Sequence, residues 1–339
     1  TRSLAVNVGA GAVAVNVSVL GNLVTNDVRS AIEDSHVSVT GDIVVSAQNL
    51  MPSSIPAWIV PTEYQADLDD SLDGSPVDLN ANILSATVNV AAGGAAVNVG
   101  LVGNLIVNTT EATISNSTVS STSGKVDLDA LSEAGIIGIT VGVAGSAGVA
   151  VNATGYGNVI TNTVEASVKG DSIVTAAGLV DMDAVDESMI RAIGISVAGS
   201  GGIAAGALIG ANVIVNTIEA QISGSTVTSG SSLNLSAESD ANILGFTAGV
   251  SAGAGAGLLS ISANTITNII HAGITKEGAT ASDVNANGKV TISATDTSTI
   301  DALAFGVAAG GGAAGAALSA NVISNSIQTF VSGSTLDST

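Results

Sequence analysis

The stretch ANVIVNTIEAQISGSTV (residues 211–227) sets two asparagines, Asn212 and Asn216, four residues apart among β-branched neighbours. Five other places carry nearly the same text. Aligned on the pair, the copies are Asn22/Asn26, Asn104/Asn108, Asn158/Asn162, Asn212/Asn216, Asn264/Asn268 and Asn321/Asn325. First members lie 82, 54, 54, 52 and 57 residues apart, so the chain repeats itself about every 54 residues with one outlier. After each pair comes a segment such as TTEATISNSTV or TVEASVKGDSIV, then one such as GKVDLDALSE or SSLNLSAESD. Ala130, Ala184, Ala237 and Ala294 share a column, and a Gly/Ala-rich run precedes most pairs.

Within a unit the pattern has period 2. In VDLDA and LNLSA, apolar and polar residues alternate, which gives a strand one buried and one wet face. Turn signals such as SGS, KGDS and TSGK separate short strands, and no stretch carries a capped helical stripe. Repeated strands at a fixed period predict an all-β, parallel β-solenoid of about six repeats over residues 1–339. Equivalent residues then stack at about 4.8 Å. Asparagine suits such a ladder, since its amide donates to one neighbour and accepts from the next. All twelve asparagines of the motif are therefore expected to be structural ladder or corner residues. Two turns of about 27 residues per repeat is the preferred winding, which puts six units at about 60 Å of axial length. A single flattened turn is the rival. The Gly/Ala-rich strands are apolar on both faces. Either they lie inside a broad cross-section, or they form a flat face that docks onto another chain.

Composition narrows function. The chain has 28 acidic and 7 basic residues, a net charge of −21, which argues against nucleic acid or an anionic membrane surface as partner. It has no cysteine, which excludes disulfides and thiolate chemistry, and its two histidines are His36 and His271. Only 10% of residues are charged, against a usual fraction of roughly 25%. The run AGIIGITVGVAGSAGVAV (residues 134–151) is long and apolar, but its alternating glycines and β-branched residues read as strand and not as a membrane-spanning helix.

The outlier spacing comes from an insertion at residues 51–80. It holds all four prolines, Trp58 and Tyr64, and proline cannot serve a central ladder, so this segment is expected to leave the solenoid as a loop. Trp58 and Tyr64 are its candidate contact residues. Asp69, Ser71, Asp73 and Gly74 match the opening of a calcium loop, although its twelfth position is Asn80 where glutamate is needed. Calcium at Asp69, Ser71 and Asp73 is thus the one metal candidate, set against a plain acidic loop.

Paired carboxylates occur at Asp127/Asp129 and Asp181/Asp183. Their columns become Asn234/Ser236 and Thr291/Ser293 in later repeats, and no basic residue is expected beside them. That drift suits a solvated face better than a catalytic one, so no enzyme and no catalytic residue is expected.

The string GGAAVNVGLVGNLIVNTTEATISNSTVSSTSGKVDLDA (residues 93–130) and its copies resemble the repeats of giant secreted bacterial adhesins. These are filamentous-haemagglutinin-like exoproteins, in particular leukotoxin-family filamentous adhesins. The resemblance covers nearly the whole chain except residues 51–80. It implies a parallel β-solenoid exported to the bacterial cell surface or beyond, and offers no catalytic residues. Both ends of the sequence fall inside a unit, so a fragment of a longer chain is expected. The reading that results is a structural extracellular module: a stiff rod in a surface filament or adhesin, with self-association into filaments. The alternatives are a receptor- or glycan-binding module acting through residues 51–80 and, behind it, a polysaccharide-active solenoid enzyme.

Overall fold

The computed structural model describes residues 1–52 and 80–339, and every regular element among them is a β-strand. The strands fall into six rungs. Rung 1 holds β1 (Arg2–Glu33) and β2 (His36–Val39); rung 2 holds β3 (Ile43–Asn49), β4 (Ile83–Ser115) and β5 (Thr118–Ser121). Rung 3 holds β6 (Val126–Lys169) and β7 (Ile173–Ala176). Rung 4 holds β8 (Val180–Ser200), β9 (Ile203–Ser223) and β10 (Thr226–Ser229), and rung 5 holds β11 (Leu233–Ala252), β12 (Gly255–Thr275) and β13 (Asp283–Ala286). Rung 6 breaks into β14 (Val290–Asp296), β15 (Thr299–Ala309), β16 (Gly312–Ile323), β17 (Ser326–Ser332) and β18 (Thr335–Ser338).

Rung 4 shows the circuit. Twenty-one residues run out along β8, Gly201 and Gly202 turn the chain, and twenty-one run back along β9. A corner at Gly224 leads into the four-residue β10, which closes the wide end. Long strands of this length reach about 70 Å at 3.3 Å per residue. The cross-section is therefore a narrow blade with two long sides, one tight tip and one short base.

All pairing between rungs is parallel. Asn104 pairs with Asn158, Asn158 with Asn212, and Asn212 with Asn264, so each neighbour in the stack is one whole repeat away. This corrects the expected winding: each repeat of about 54 residues makes one turn, not two. Six rungs at about 4.8 Å give about 29 Å of axial length in place of about 60 Å.

Side-chain size inside the blade follows its taper. At the base three walls meet, and Ile114, Val119, Leu128, Met182, Ile222 and their neighbours fill a triangular core. Further along, two walls enclose a slimmer cluster with Ile106, Ile136, Ile160, Ile190 and Ile214. At the tip of rungs 1–3 the core is a cluster of alanines: Ala14, Ala91, Ala96, Ala144 and Ala150. The Gly/Ala-rich runs thus sit where the two sheets come closest, and bulky inward side chains there would hold them apart.

The insertion is placed by the residues that flank it. Strand β3 pairs with β6 up to Asn49↔Ser132, and pairing resumes at Ile83↔Ile136. Both flanks are tied to rung 3. The Met51 amide donates to Glu133 Oε2 (2.8 Å), the Asn82 amide to the Gly135 carbonyl (2.9 Å), and the Gly135 amide to Asn82 Oδ1 (2.8 Å). Residues 134–151 lie within β6, and no helix among the described residues is long and apolar enough to cross a membrane.

Candidate functional site

The motif asparagines point inward from the returning strands, but the two members of each pair work differently. The first forms an axial ladder through all six rungs. Asn22 donates its amide to Asn104 Oδ1 (2.8 Å), Asn104 to Asn158 (2.7 Å), Asn158 to Asn212 (2.8 Å), Asn212 to Asn264 (2.7 Å) and Asn264 to Asn321 (2.9 Å). Each internal member both donates and accepts, as an amide can at a repeat matched to the strand spacing.

The second member reaches across the blade. Asn162 Nδ2 donates to Asp186 Oδ1 (2.7 Å) and Ser188 Oγ (3.0 Å), while Asn216 Nδ2 donates to Asp186 Oδ2 (2.5 Å). Ser188 Oγ adds a third donor to Asp186 (2.8 Å). The same crossing recurs lower down, where Asn268 donates to Ser239 (3.0 Å) and Asp296 (3.1 Å) and Asn325 to Asp296 (2.6 Å). At the other end Asn26 donates to Asn49 (3.0 Å). Asn108 makes no side-chain hydrogen bond among the described residues. The first column therefore ties rung to rung, while the second ties sheet to sheet and also rung to rung, since the backbone amides of Asn162 and Asn268 donate to Asn216 Oδ1 (3.2 Å) and Asn325 Oδ1 (2.9 Å).

Asp186 is fully buried, and burial pushes its carboxyl up to about 7 despite its asparagine and serine donors. The alternation in VDMDAVDES already puts Asp186 in phase with the buried Val180, Met182 and Ala184. Phase, more than residue type, marks it as an interior group.

A second ladder runs along the corner. The backbone amide of Ser35 donates to Ser117 Oγ (3.0 Å), Ser117 to Ser172 (3.2 Å), Ser172 to Ser225 (3.2 Å), Ser225 to Ser282 (3.3 Å) and Ser282 to Ser334 (3.2 Å). The residue before it has positive φ in most rungs: Asp34, Asn116, Asp171, Gly224 and Gly333. Aspartate, asparagine and glycine are the residues that tolerate this geometry. The recurring pair of such a residue and serine was visible in SGS and KGDS, where it reads only as a turn.

The paired carboxylates project outward from the outgoing strands near the base. Asp127 stacks on Asp181 and Asp129 on Asp183. A basic residue does stand beside them: Lys125 Nζ lies 2.6 Å from Asp127 Oδ2. Ser46 and Gln48 both donate to Asp129 Oδ2 (3.2 Å each). Burial, followed by Asp181, Asp127 and Asp129, pushes Asp183 up to about 6. Glu187, next to Glu133 and Asp240, is raised chiefly by burial. Met51, Glu187, Met189, Arg191 and Asp240 line a shallow groove on this side. Among the described residues no three histidine or acidic side chains come together as a metal site. The calcium candidates Asp69, Ser71 and Asp73, and the contact candidates Trp58 and Tyr64, lie outside the described residues.

Towards the tip apolar side chains face outward as well as inward. Outward positions of β9 read Ile203, Ala205, Ala207, Ile209, Ala211, Val213 and Val215, while inward ones mix Gly206, Gly210, Asn212 and Asn216 with the buried Leu208 and Ile214. Ile203 is 60% exposed and Ile209 52%, in a rung covered by neighbours above and below. The outgoing strands do the same with Ile193 and Val250.

No family model, no curated protein and no solved structure matches the chain.

Proposed function

We propose that the chain is a structural module of a bacterial surface filament or giant adhesin, working by stiffness and stacking and not by catalysis. One observation carries the reading. Parallel pairing joins every rung to the next, and the Asn22–Asn321 ladder extends from the first rung to the last. Such a stack offers the same pattern of backbone donors and acceptors at its two outer edges, ready to pair with more rungs of the same kind. The resemblance to repeats of secreted filamentous adhesins supports placement at the cell surface. Carboxylates that drift to Asn234, Ser236, Thr291 and Ser293 support a solvated face over a reaction centre.

Electron microscopy and fibre diffraction of the purified chain test this. Filaments that lengthen with concentration and diffract at about 4.8 Å along their axis are expected. A chain that stays a single blade at high concentration and binds a glycan only while residues 51–80 are present would replace the structural reading with the adhesive one.

A further inference from the structure

We infer that the returning-strand face of the tip half is a lateral docking surface for a second copy of this chain. The inference deepens the structural reading above and rests on it: stacking extends the blade along its axis, and this face would bind one blade flat against another.

The face is built from six outward columns that cross all six rungs. They begin at Val13, Val15, Val17, Val19, Gly21 and Leu23 in rung 1 and pass through Leu101, Leu105, Val149, Ile203, Ile209 and Leu259. Of the thirty-six positions only Thr265 has a polar side chain, and none is charged or aromatic. The exposure is not an end effect, because Leu101, Ile203, Ile209 and Leu259 lie in rungs 2, 4 and 5.

Three observations select a second copy as the occupant. The first is area. Eleven residues of strand at 3.3 Å and six rungs at 4.8 Å make a face of about 1,000 Å². That exceeds both the roughly 800 Å² each partner contributes to a stable complex and the largest apolar patch usual on a monomer, about 300–600 Å². The second is relief. The column of Gly21, Gly103, Gly157, Ala211, Ala263 and Ala320 runs as a trough between columns holding Val19, Leu101, Ile209 and Leu318 on one side and Leu23, Leu105, Val213 and Val322 on the other. A rigid ridge with the same axial spacing fits such a trough, as in sheet-on-sheet packing, and this chain supplies one. The third is charge. The acidic columns stand near the base, so two copies can meet at the tip half without burying a carboxylate. Lipid is a poorer occupant. The face has no aromatic rim.

Sedimentation velocity of the full chain, with electron microscopy of the same samples, tests the inference. Pairing at micromolar concentration is expected, and added salt should strengthen it by screening the net charge of −21. Ile209→Glu should weaken pairing about 30-fold or more, the effect of losing one hot-spot residue. Ile209→Thr keeps a β-branched side chain and should weaken it less. Ile193→Glu, on the opposite face, should leave pairing unchanged, and circular dichroism with thermal unfolding confirms that each variant folds. Filaments one blade thick, unaltered by Ile209→Glu, would sink this inference and spare the stacking reading. Pairs that never lengthen would do the reverse. Three other results overturn it: pairing abolished by Ile193→Glu and not by Ile209→Glu; a monomer that floats with phosphatidylcholine vesicles; or a monomer that pairs only once residues 51–80 are deleted.

Discussion

The base and the tip of the blade use the same strands in opposite ways. At the base, Ile222, Leu235 and Met182 are buried inside while Asp181, Asp183 and Glu219 face water. Towards the tip the inside is mostly alanine, glycine, serine and asparagine, with single large side chains such as Leu208 and Leu258 among them, and valine, isoleucine and leucine crowd the outside. Wall separation, set by the short closing strand, decides which side chains fit the interior. Where three walls hold the sheets apart, burial of large aliphatic side chains stabilises the rung. Where two sheets converge, small residues and amide ladders replace them. The β-branched residues that favour strands are left on the outer surface.

Core substitutions should break this contrast most visibly. Ile222→Ala at the base should lower unfolding free energy by about 2–5 kcal/mol, since rigid walls cannot close over the lost volume. The inverse change belongs to the tip, where Ala150→Leu should cost about 1–3 kcal/mol by forcing the sheets apart. Chemical denaturation of both variants reads the two effects on one scale. Equal sensitivity to truncation and enlargement at both sites would show that the taper does not govern packing.

Asn212→Ala addresses the axial ladder. It leaves the Asn158 amide and the Asn264 carbonyl oxygen without their partners in a buried column, a loss of about 1–3 kcal/mol. Asn212→Asp should be worse near neutral pH, because the carboxylate cannot donate to Asn264.

The interior carboxylate gives the contrast a pH dependence. Asp186 in the folded chain is raised from 3.8 to about 7 by burial. The unfolded chain therefore releases this proton first, and between pH 4 and 7 the folded state binds more protons than the unfolded one. Stability from this group is fully present at the acid end of that window and declines as pH rises through it. Asp183, raised to about 6 by burial and by neighbouring carboxylates, acts in the same direction. Thermal melts should thus show the chain more stable at pH 5 than at pH 8. Asp186→Asn should flatten that slope while keeping one acceptor for Asn162 or Asn216. An unchanged slope in the variant would remove Asp186 from the explanation.

The smallest effect is expected on the outer acidic face. Lys125→Ala breaks the pair with Asp127 at a partly exposed site, and pairs of that kind contribute about 0–1 kcal/mol. Unfolding curves that overlay the parent within error agree with a solvated face.

Sequence alone determined the period, the strand content and the parallel stacking. A chain that repeats Asn-x-x-x-Asn six times with alternating polarity has few other ways to satisfy its backbone. Alternation even carried the phase of Asp186. The structure decided the winding. An outgoing and a returning strand both read as period 2 with similar composition, so one turn of 54 residues and two of 27 look alike in one dimension. It also separated the two asparagines. Spacing puts both on one face of a strand, but which one builds an amide-to-amide ladder and which also reaches Asp186 or Asp296 depends on what the opposite sheet presents at that depth. The outward apolar columns became a surface only once the inward positions proved to be mostly the small and polar ones, because in an alternating strand the buried face is chosen by the distance to the next wall.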